Sequence, residues 1–413
     1  MHQNVALARP IGRLCLTAPE RKTAVATFNR ERNSRHRRVR ATRAAVIPNS
    51  DKLSPISGPT LSKKIRSIPE DDAQNMNLFC VSPRGLSVAP IGIPEQKFNT
   101  NLEAPFPWVV GPTSCEAESW SSQELASFIR MSSKEIQRGL DRHGAILFRG
   151  FGLSTPEDFA AVVKAFAWEP FPYVGGNAVR TNVVGDYVFT ANEAPSHRQI
   201  PFHHELAQTP SYPTKVLFFC QVPAESGGAT PIVQSNIVYE RLQALHPDFI
   251  EQVESYGVRY VRTMSMEDRE ASAIGRGWKN TLNVDTKKDA ESKLQEMGCE
   301  WEWLSEDHLK QTSPILPAVK HHEPSGCKQF FNQVVAAYNG WQDELNAPGQ
   351  AVVDGRGLPL NEEAVGAAAN IMDEECVAFK YQVGDVLLLD NLTVMHSRHS
   401  FTGPRRILAS LLK

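Results

Sequence analysis

The sequence predicts an α+β protein in which helices pack outside a β-sandwich or barrel. Two observations carry that expectation. From about Tyr187 onward short strand-like runs dominate: Lys215–Val222, Thr230–Gln234, Phe330–Ala336, Val377–Tyr381, Val386–Leu389 and Arg406–Leu412. Gly227-Gly228, Gly384-Asp385 and Gly403-Pro404 punctuate them as turns. Before that point the apolar spacing is largely helical, and such helices must pack outside the β core.

Taken in order, the chain opens on an asymmetry of charge. Its first 50 residues hold 11 Lys and Arg against only Glu20 and Glu31, a balance of +9; the remainder carries −11, which gives the total of −2. A segment rich in Arg and Ser and poor in acids reads as an organelle transit peptide over residues 1–46. Chloroplast is the expected compartment, with mitochondrion or cytoplasm as alternatives. The rival reading is a basic arm that touches nucleic acid through Arg35 to Arg43. Residues 47–100, with many Pro, Ser and Asn, read as a linker or extended segment, and residues 101–413 as one domain.

Ser121 and Glu124 have the spacing of a capping box ahead of Leu125, Phe128 and Ile129. Ser132 and Glu135 repeat the signal before Ile136 and Leu140, and Gly144 breaks that helix. Ala145-Ile146-Leu147-Phe148 reads as a buried strand. Thr155-Pro156-Glu157 then opens a helix whose Phe159, Val162, Val163 and Phe166 share a face. Two further helical stretches, Ile237 to Val253 and Asn361 to Met372, interrupt the strand series. Residues 264–311, charged and poorly periodic, are expected to form an insertion over one end of the β core.

Composition narrows the function. With 41% hydrophobic and 22% charged residues, the chain is neither collagenous nor wholly disordered. It has no apolar run of 18 residues, which argues against a membrane-spanning helix. The seven cysteines are scattered without a CxxC pair, so neither a disulfide framework nor a thiolate zinc site is expected. No glycine-rich phosphate loop is present either.

The informative segment is Ile200-Pro201-Phe202-His203-His204-Glu205. On a strand, His203 and Glu205 point to one face and His204 to the other. An imidazole and a carboxylate so placed supply two legs of a 2-His-1-carboxylate triad, which leaves three positions of an octahedral Fe(II) open. His396, after the strand Val386–Leu389 and the turn-prone Asp390-Asn391, is the best third leg, with His399 the runner-up. A carboxylate-bearing cosubstrate needs a guanidinium and a hydroxyl at its far end. Arg406 and Thr230 can supply them.

These residues lie in stretches that resemble the TauD/TfdA group of Fe(II)/2-oxoglutarate-dependent dioxygenases, and within it the plant clavaminate synthase-like branch. The matching stretches are GAILFRGF (144–151), YVGG (173–176), FTANE (189–193), IPFHHELAQ (200–208), GGATPIV (227–233), IGRGWK (274–279), VVAAYNGW (334–341), 384–396 and 404–410. The resemblance implies a double-stranded β-helix, or jelly roll, and makes 101–413 a dioxygenase domain. It implies iron held by His203, Glu205 and His396, and 2-oxoglutarate contacted by Thr230 and Arg406, with Arg405 outward. It further implies that O2 and 2-oxoglutarate are consumed, yielding succinate and CO2 as a small-molecule substrate is hydroxylated or otherwise oxidised.

Two departures refine this. Most of the group has Asp where this chain has Glu205, although the clavaminate synthase branch uses Glu. Sulfonate-binding members carry another arginine four residues beyond the cosubstrate arginine, and Ser410 stands there, which disfavours a taurine-like substrate. Retention of Glu205 disfavours halogenation. Arg180 and Asn192 are the foremost candidates for substrate binding, ahead of Tyr173, Arg276, Asn332 and Tyr338. The alternative from another class is a jelly-roll protein that binds metal or ligand without turnover. No nucleic acid or membrane partner is expected, and oligomeric state is left open.

Overall fold

Two facing antiparallel sheets of unequal size form the centre of the protein in a computed structural model that describes residues 87–113, 120–191, 194–269, 272 and 274–413. The large sheet has eight strands, in spatial order Val88–Pro90, Trp108–Pro112, Ala145–Phe148, Val386–Asp390, Lys215–Val222, Arg406–Leu412, Val188–Thr190 and Asn182–Val184. One pairing in it is parallel, Trp108–Pro112 with Ala145–Phe148. The small sheet places Val394–Arg398 between Ile232–Gln234 and Ile200–His203. This is the jelly roll expected from the sequence.

Strand alternation divides the large sheet between two cores. Val216, Phe218, Cys220, Leu387, Leu389, Ile407, Ala409 and Leu411 face the small sheet, where they meet Ile232, Val394 and Leu206. Leu217, Phe219, Val386, Leu388 and Leu408 face the other way, against the helices Ser122–Met131, Ser133–His143 and Pro156–Ala165. Phe159 stacks on Phe219 there with ring centroids 5.2 Å apart. Burying a side chain of that size stabilises the fold by about 2–3 kcal/mol. The outer face of the small sheet is covered by the helices Ser235–Leu245, Pro247–Tyr256, Val334–Gly340 and Glu362–Glu375.

Local signals behave unequally. Ser121 forms the complete capping box with Glu124, and Thr155 forms one with Asp158. Ser132 makes no side-chain cap; its backbone, at φ −104° and ψ 21°, closes the preceding helix instead, donating to the Phe128 carbonyl at 2.9 Å. The helix expected from Ile237 to Val253 is two helices, broken where Pro247 forces His246 out of the helical region. Phe330–Ala336 is not a strand: a helix starts at Val334, and because Asn332 and Gln333 are buried along with the apolar residues, polarity marks no outer face from which to read a period. Val377–Tyr381 is not a strand either: among the described residues it makes one ladder contact, the bridge from Val377 to Ile232.

One boundary also moves. The segment 47–100 is not linker throughout: Val88–Pro90 pairs with Trp108–Pro112, and Lys97–Asn99 pairs with Ala104–Phe106. Asn99 is buried and donates to Gln234 Oε1 at 2.8 Å. The insertion has a core of its own, with Trp278, Leu282, Ala290 and Leu294 packed under Met264 and Leu309. The transit segment 1–46 lies outside the described residues.

Candidate active site

His203 ends the strand Ile200–His203, and its register partner on the central strand of the small sheet is His396. Their rings approach to 4.3 Å between centroids. Glu205 lies just past the strand end, where Leu206 adopts φ 57° and turns the chain. Asn391 fixes that turn. It accepts from the Glu205 backbone N–H at 2.8 Å and donates to the carbonyls of Glu205 at 3.0 Å and Pro213 at 2.8 Å. The pair Asp390-Asn391, turn-prone by sequence, is thus also the clamp that presents the carboxylate.

Ligand atoms of His203, Glu205 and His396 all lie within 4.8 Å of one another, the scale of one ion's coordination shell. His203 directs Nδ1 to the Pro201 carbonyl at 2.8 Å, which leaves Nε2 for a metal. Glu205 Oε2 is buried without a hydrogen bond among the described residues and stands 3.5 Å from His396 Nε2. A carboxylate oxygen left without a donor beside two imidazoles is suited to a cation, so the donor set fits iron. Burial, with His396 close by, pushes the His203 pKa down to about 4 and keeps the ring neutral for ligation. Burial alone would raise the Glu205 carboxyl, but Arg180, His396 and His203 hold it below the usual carboxylate range. His204 points away, as strand alternation requires, with Nδ1 at 2.6 Å from the Asn391 carbonyl and Nε2 at 2.6 Å from Ser235 Oγ. His399 takes no part in the cluster; its backbone N–H donates to the Ala229 carbonyl at 3.1 Å.

The predicted cosubstrate arginine requires correction. Arg405, not Arg406, faces the cavity: its Nη2 donates to Thr230 Oγ1 at 3.4 Å and its Nε to the Gly228 carbonyl at 2.9 Å. Arg406 is exposed and shares its parity with Leu408, which faces the helices. Arg405 shares parity with Ile407 and Ala409, which face inward. Alternation groups the residues as expected, and the set that faces the metal is the one that follows Arg405. Gly228 makes room for the guanidinium: at φ +68° a Cβ would stand 3.1 Å from Arg405 Cδ and 2.7 Å from Ala224 Cβ. Four residues beyond Arg405 stands Ala409, so a second anion-binding arginine is absent from that position too.

These groups line one cavity of about 470 Å³, within the ordinary range for small-molecule sites. Phe218, Ile200, Ile407 and Trp341 supply apolar wall. Arg180 ion-pairs with Glu205 Oε1 at 2.9 Å, and the Tyr173 ring lies under its guanidinium at 4.1 Å. Asn192 lies outside the described residues. Of the lesser candidates only Tyr173 lines the cavity. Arg276 donates to the Tyr173 carbonyl at 2.9 Å, Asn332 to the Ala318 carbonyl at 2.9 Å, and Tyr338 packs in the helix layer.

Gln208, Gln333 and Arg398 also line the cavity and were missed. Gln208 lies within the stretch 200–208, but nothing in its identity separates it from a surface glutamine. Arg398 is buried and donates to three backbone carbonyls, of Ala194 at 2.9 Å, Pro195 at 2.8 Å and Arg198 at 2.7 Å. Spacing does not reveal such contacts.

The family described as taurine catabolism dioxygenase TauD, TfdA family matches residues 111–412. A clavaminate synthase-like protein of Arabidopsis thaliana is 44% identical over 323 residues, 78% of this chain and 97% of the relative. Dapdiamide synthesis protein DdaC of Enterobacter agglomerans is 27% identical over 294 residues, 68% of this chain and 85% of that protein. Among solved structures, asparagine oxygenase in complex with Fe(II), 2S,3S-3-hydroxyasparagine and succinate aligns with a TM-score of 0.44 at 14% identity, covering 72% of this chain and 92% of that one. The family match spans most of the chain and takes in His203, Glu205, Thr230, His396 and Arg405. The chain belongs to the TauD/TfdA family of dioxygenases.

Proposed function

We propose that the protein is an Fe(II)- and 2-oxoglutarate-dependent oxygenase that hydroxylates, or oxidises in a related way, a small-molecule substrate. The observation that carries this reading is the convergence of His203, Glu205 and His396 in the same cavity as Arg405 and Thr230. When bound, iron and 2-oxoglutarate supply O2 activation coupled to oxidative decarboxylation, with succinate and CO2 as products. His203 and His396 would hold the metal through ring nitrogens, and Glu205 through Oε2 while Arg180 occupies Oε1. Arg405 and Thr230 hold the distal carboxylate of the cosubstrate by a charge-assisted bond and a hydroxyl. Burial raises the cost of leaving the Arg405 charge unpaired, which favours a dianionic cosubstrate there. Phe218 packs edge-on against the His396 ring at 5.0 Å and helps exclude water from the ligand side.

Anaerobic addition of Fe(II) and 2-oxoglutarate to the protein should produce a weak visible charge-transfer band, and O2 should then release succinate. His203→Ala and His396→Ala should each abolish the band. A band that survives either change removes the ligand assignment, and a band without succinate favours a protein that binds without turnover. Residues 1–46 are proposed as a chloroplast import signal on their basic, acid-poor composition. Their fusion to a fluorescent reporter should direct it to that organelle; a diffuse signal contradicts the targeting.

A further inference from the structure

The three metal-ligating side chains come from two stretches far apart in sequence, residues 203–205 and the strand Val394–Arg398 that carries His396. The register pair of His203 with His396 joins them at one end. Beyond that pair the strand Ile200–His203 stops, so Glu205 has no rung of the ladder and its place is fixed by side chains. Asn391 is one of them, in the turn that leads into the strand of His396.

His204 stands behind Asn391. It is fully buried on the side away from the cavity, against the Phe331 ring at 4.6 Å between centroids, where an apolar side chain would also fit. A histidine in that place loses about 1–3 kcal/mol for each ring nitrogen left without a partner. Both have one, the Asn391 carbonyl at Nδ1 and Ser235 Oγ at Nε2, each at 2.6 Å. A carbonyl only accepts, so Nδ1 carries the hydrogen. Burial disfavours the charged ring, so Nε2 accepts from the Ser235 hydroxyl and a single tautomer is held.

Both partners belong to the framework of the ligands. Asn391 holds the Glu205 backbone on both its N–H and its carbonyl. Ser235 follows the strand Ile232–Gln234, in which Ile232 is the register partner of His396, and its N–H donates to the Thr393 carbonyl at 2.8 Å, one residue before the strand of His396. The backbone of His204 is tied down as well: its N–H donates to the Asn332 carbonyl at 3.3 Å, and its carbonyl accepts from Gln333 Nε2 at 2.8 Å. One imidazole that belongs to no ligand set thus spans the two ligand-bearing stretches from behind.

We infer that His204 is a positioning residue of the metal centre, which acts through the Asn391 carbonyl and Ser235 to set the Glu205 carboxylate against His396. The inference rests on the proposed function in taking His203, Glu205 and His396 as the ligands. An apolar residue of similar size fills the space but leaves the Asn391 carbonyl without its donor and the turn free to shift. The loss then falls on metal affinity, by about 10- to 100-fold, as it does for groups that orient ligands in other metal sites.

The test titrates the full chain with Mn(II), read by the electron paramagnetic resonance of the free ion, and follows thermal unfolding of the same samples without metal. His204→Leu should weaken Mn(II) by about tenfold or more. His204→Asn puts an amide N–H where Nδ1 stands and keeps the Asn391 contact, whereas His204→Gln puts its amide near Nε2 and keeps the Ser235 contact. The Asn variant should bind Mn(II) more tightly than the Gln variant, even where it is the less stable of the two. Because His204 acts through Asn391, the double variant His204→Leu/Asn391→Ala should bind no more weakly than Asn391→Ala alone. A His204→Leu protein that loses stability but binds Mn(II) as the wild type does overturns the inference, as do additive losses in the double variant. If His204→Leu fails to fold, the Asn and Gln variants decide, and equal binding by those two overturns it. A wild type that takes up no Mn(II) removes the proposed function and this inference with it; binding left intact in every variant removes the inference alone.

Discussion

Arg405 and Arg406 are chemically identical neighbours at the start of the strand Arg406–Leu412, and a single peptide unit separates a cavity residue from a surface one. Arg405→Ala is expected to weaken 2-oxoglutarate binding by about 30- to 150-fold, the equivalent of about 2–3 kcal/mol for a charge-assisted bond. Arg406→Ala should stay within about twofold, as exposed substitutions do. Direct titration of the charge-transfer band checks both, and comparable losses in the two variants would refute the assignment. The error in the sequence reading has a physical origin. Arg406–Leu412 is buried on both faces after its first residue, so alternation shows which residues go together without showing which set faces the metal. His203 and Glu205 escaped this ambiguity because the types themselves declare the chemistry. Asn391 and Gln208 did not, since amides serve as turn residues and as surface residues more often than as clamps.

At the scale of elements, the same S-x-x-E spacing occurs twice and works once. Ser121 sits at φ −83° and ψ 161°, extended enough for its hydroxyl to reach back to the Glu124 N–H. Ser132 must finish one helix while it starts the next, and its backbone cannot do both. Ser121→Ala should therefore cost about 1 kcal/mol of unfolding free energy, whereas Ser132→Ala should cost less than about 0.5 kcal/mol. Urea titrations of the two variants give the comparison; equal losses would mean that Ser132 caps after all. Helices with independent signals at both ends were legible for this reason. Ser133–His143 has a real stop in Gly144, at φ 73°, and its start is set by its neighbour. The run from Phe330 misleads because its polar residues, Asn332 and Gln333, are buried with its apolar ones, so neither a period of 2 nor one of 3.6 separates an inner from an outer face.

For the molecule as a whole, the domain begins earlier than the composition suggests. Pro, Ser and Asn make 47–100 resemble a linker, yet Val88 is fully buried and Asn99 bonds into the small sheet through Gln234. A chain starting at residue 101 should be less stable than one starting at residue 87 by about 3 kcal/mol, from one buried valine and one buried hydrogen bond together with their supporting strand. Denaturant unfolding of the two truncations tests this, and equal midpoints would restore the boundary at 101. The arrangement of facing sheets was legible from strands and turns, whereas the contribution of the extended segment was not, because it is fixed by partners far away in sequence.

Arg398 gives the cavity one side that stays still. It sits two residues past His396 and holds the carbonyls of Ala194, Pro195 and Arg198 with charge-assisted bonds. Swinging residues 194–198 aside would strip those bonds from a buried guanidinium, at a cost of several kcal/mol. On that side the site behaves as a lock cut during folding rather than a hand that closes on its object. Molecules that differ only where they touch this wall will be discriminated by steric fit, with no energy recovered from closure.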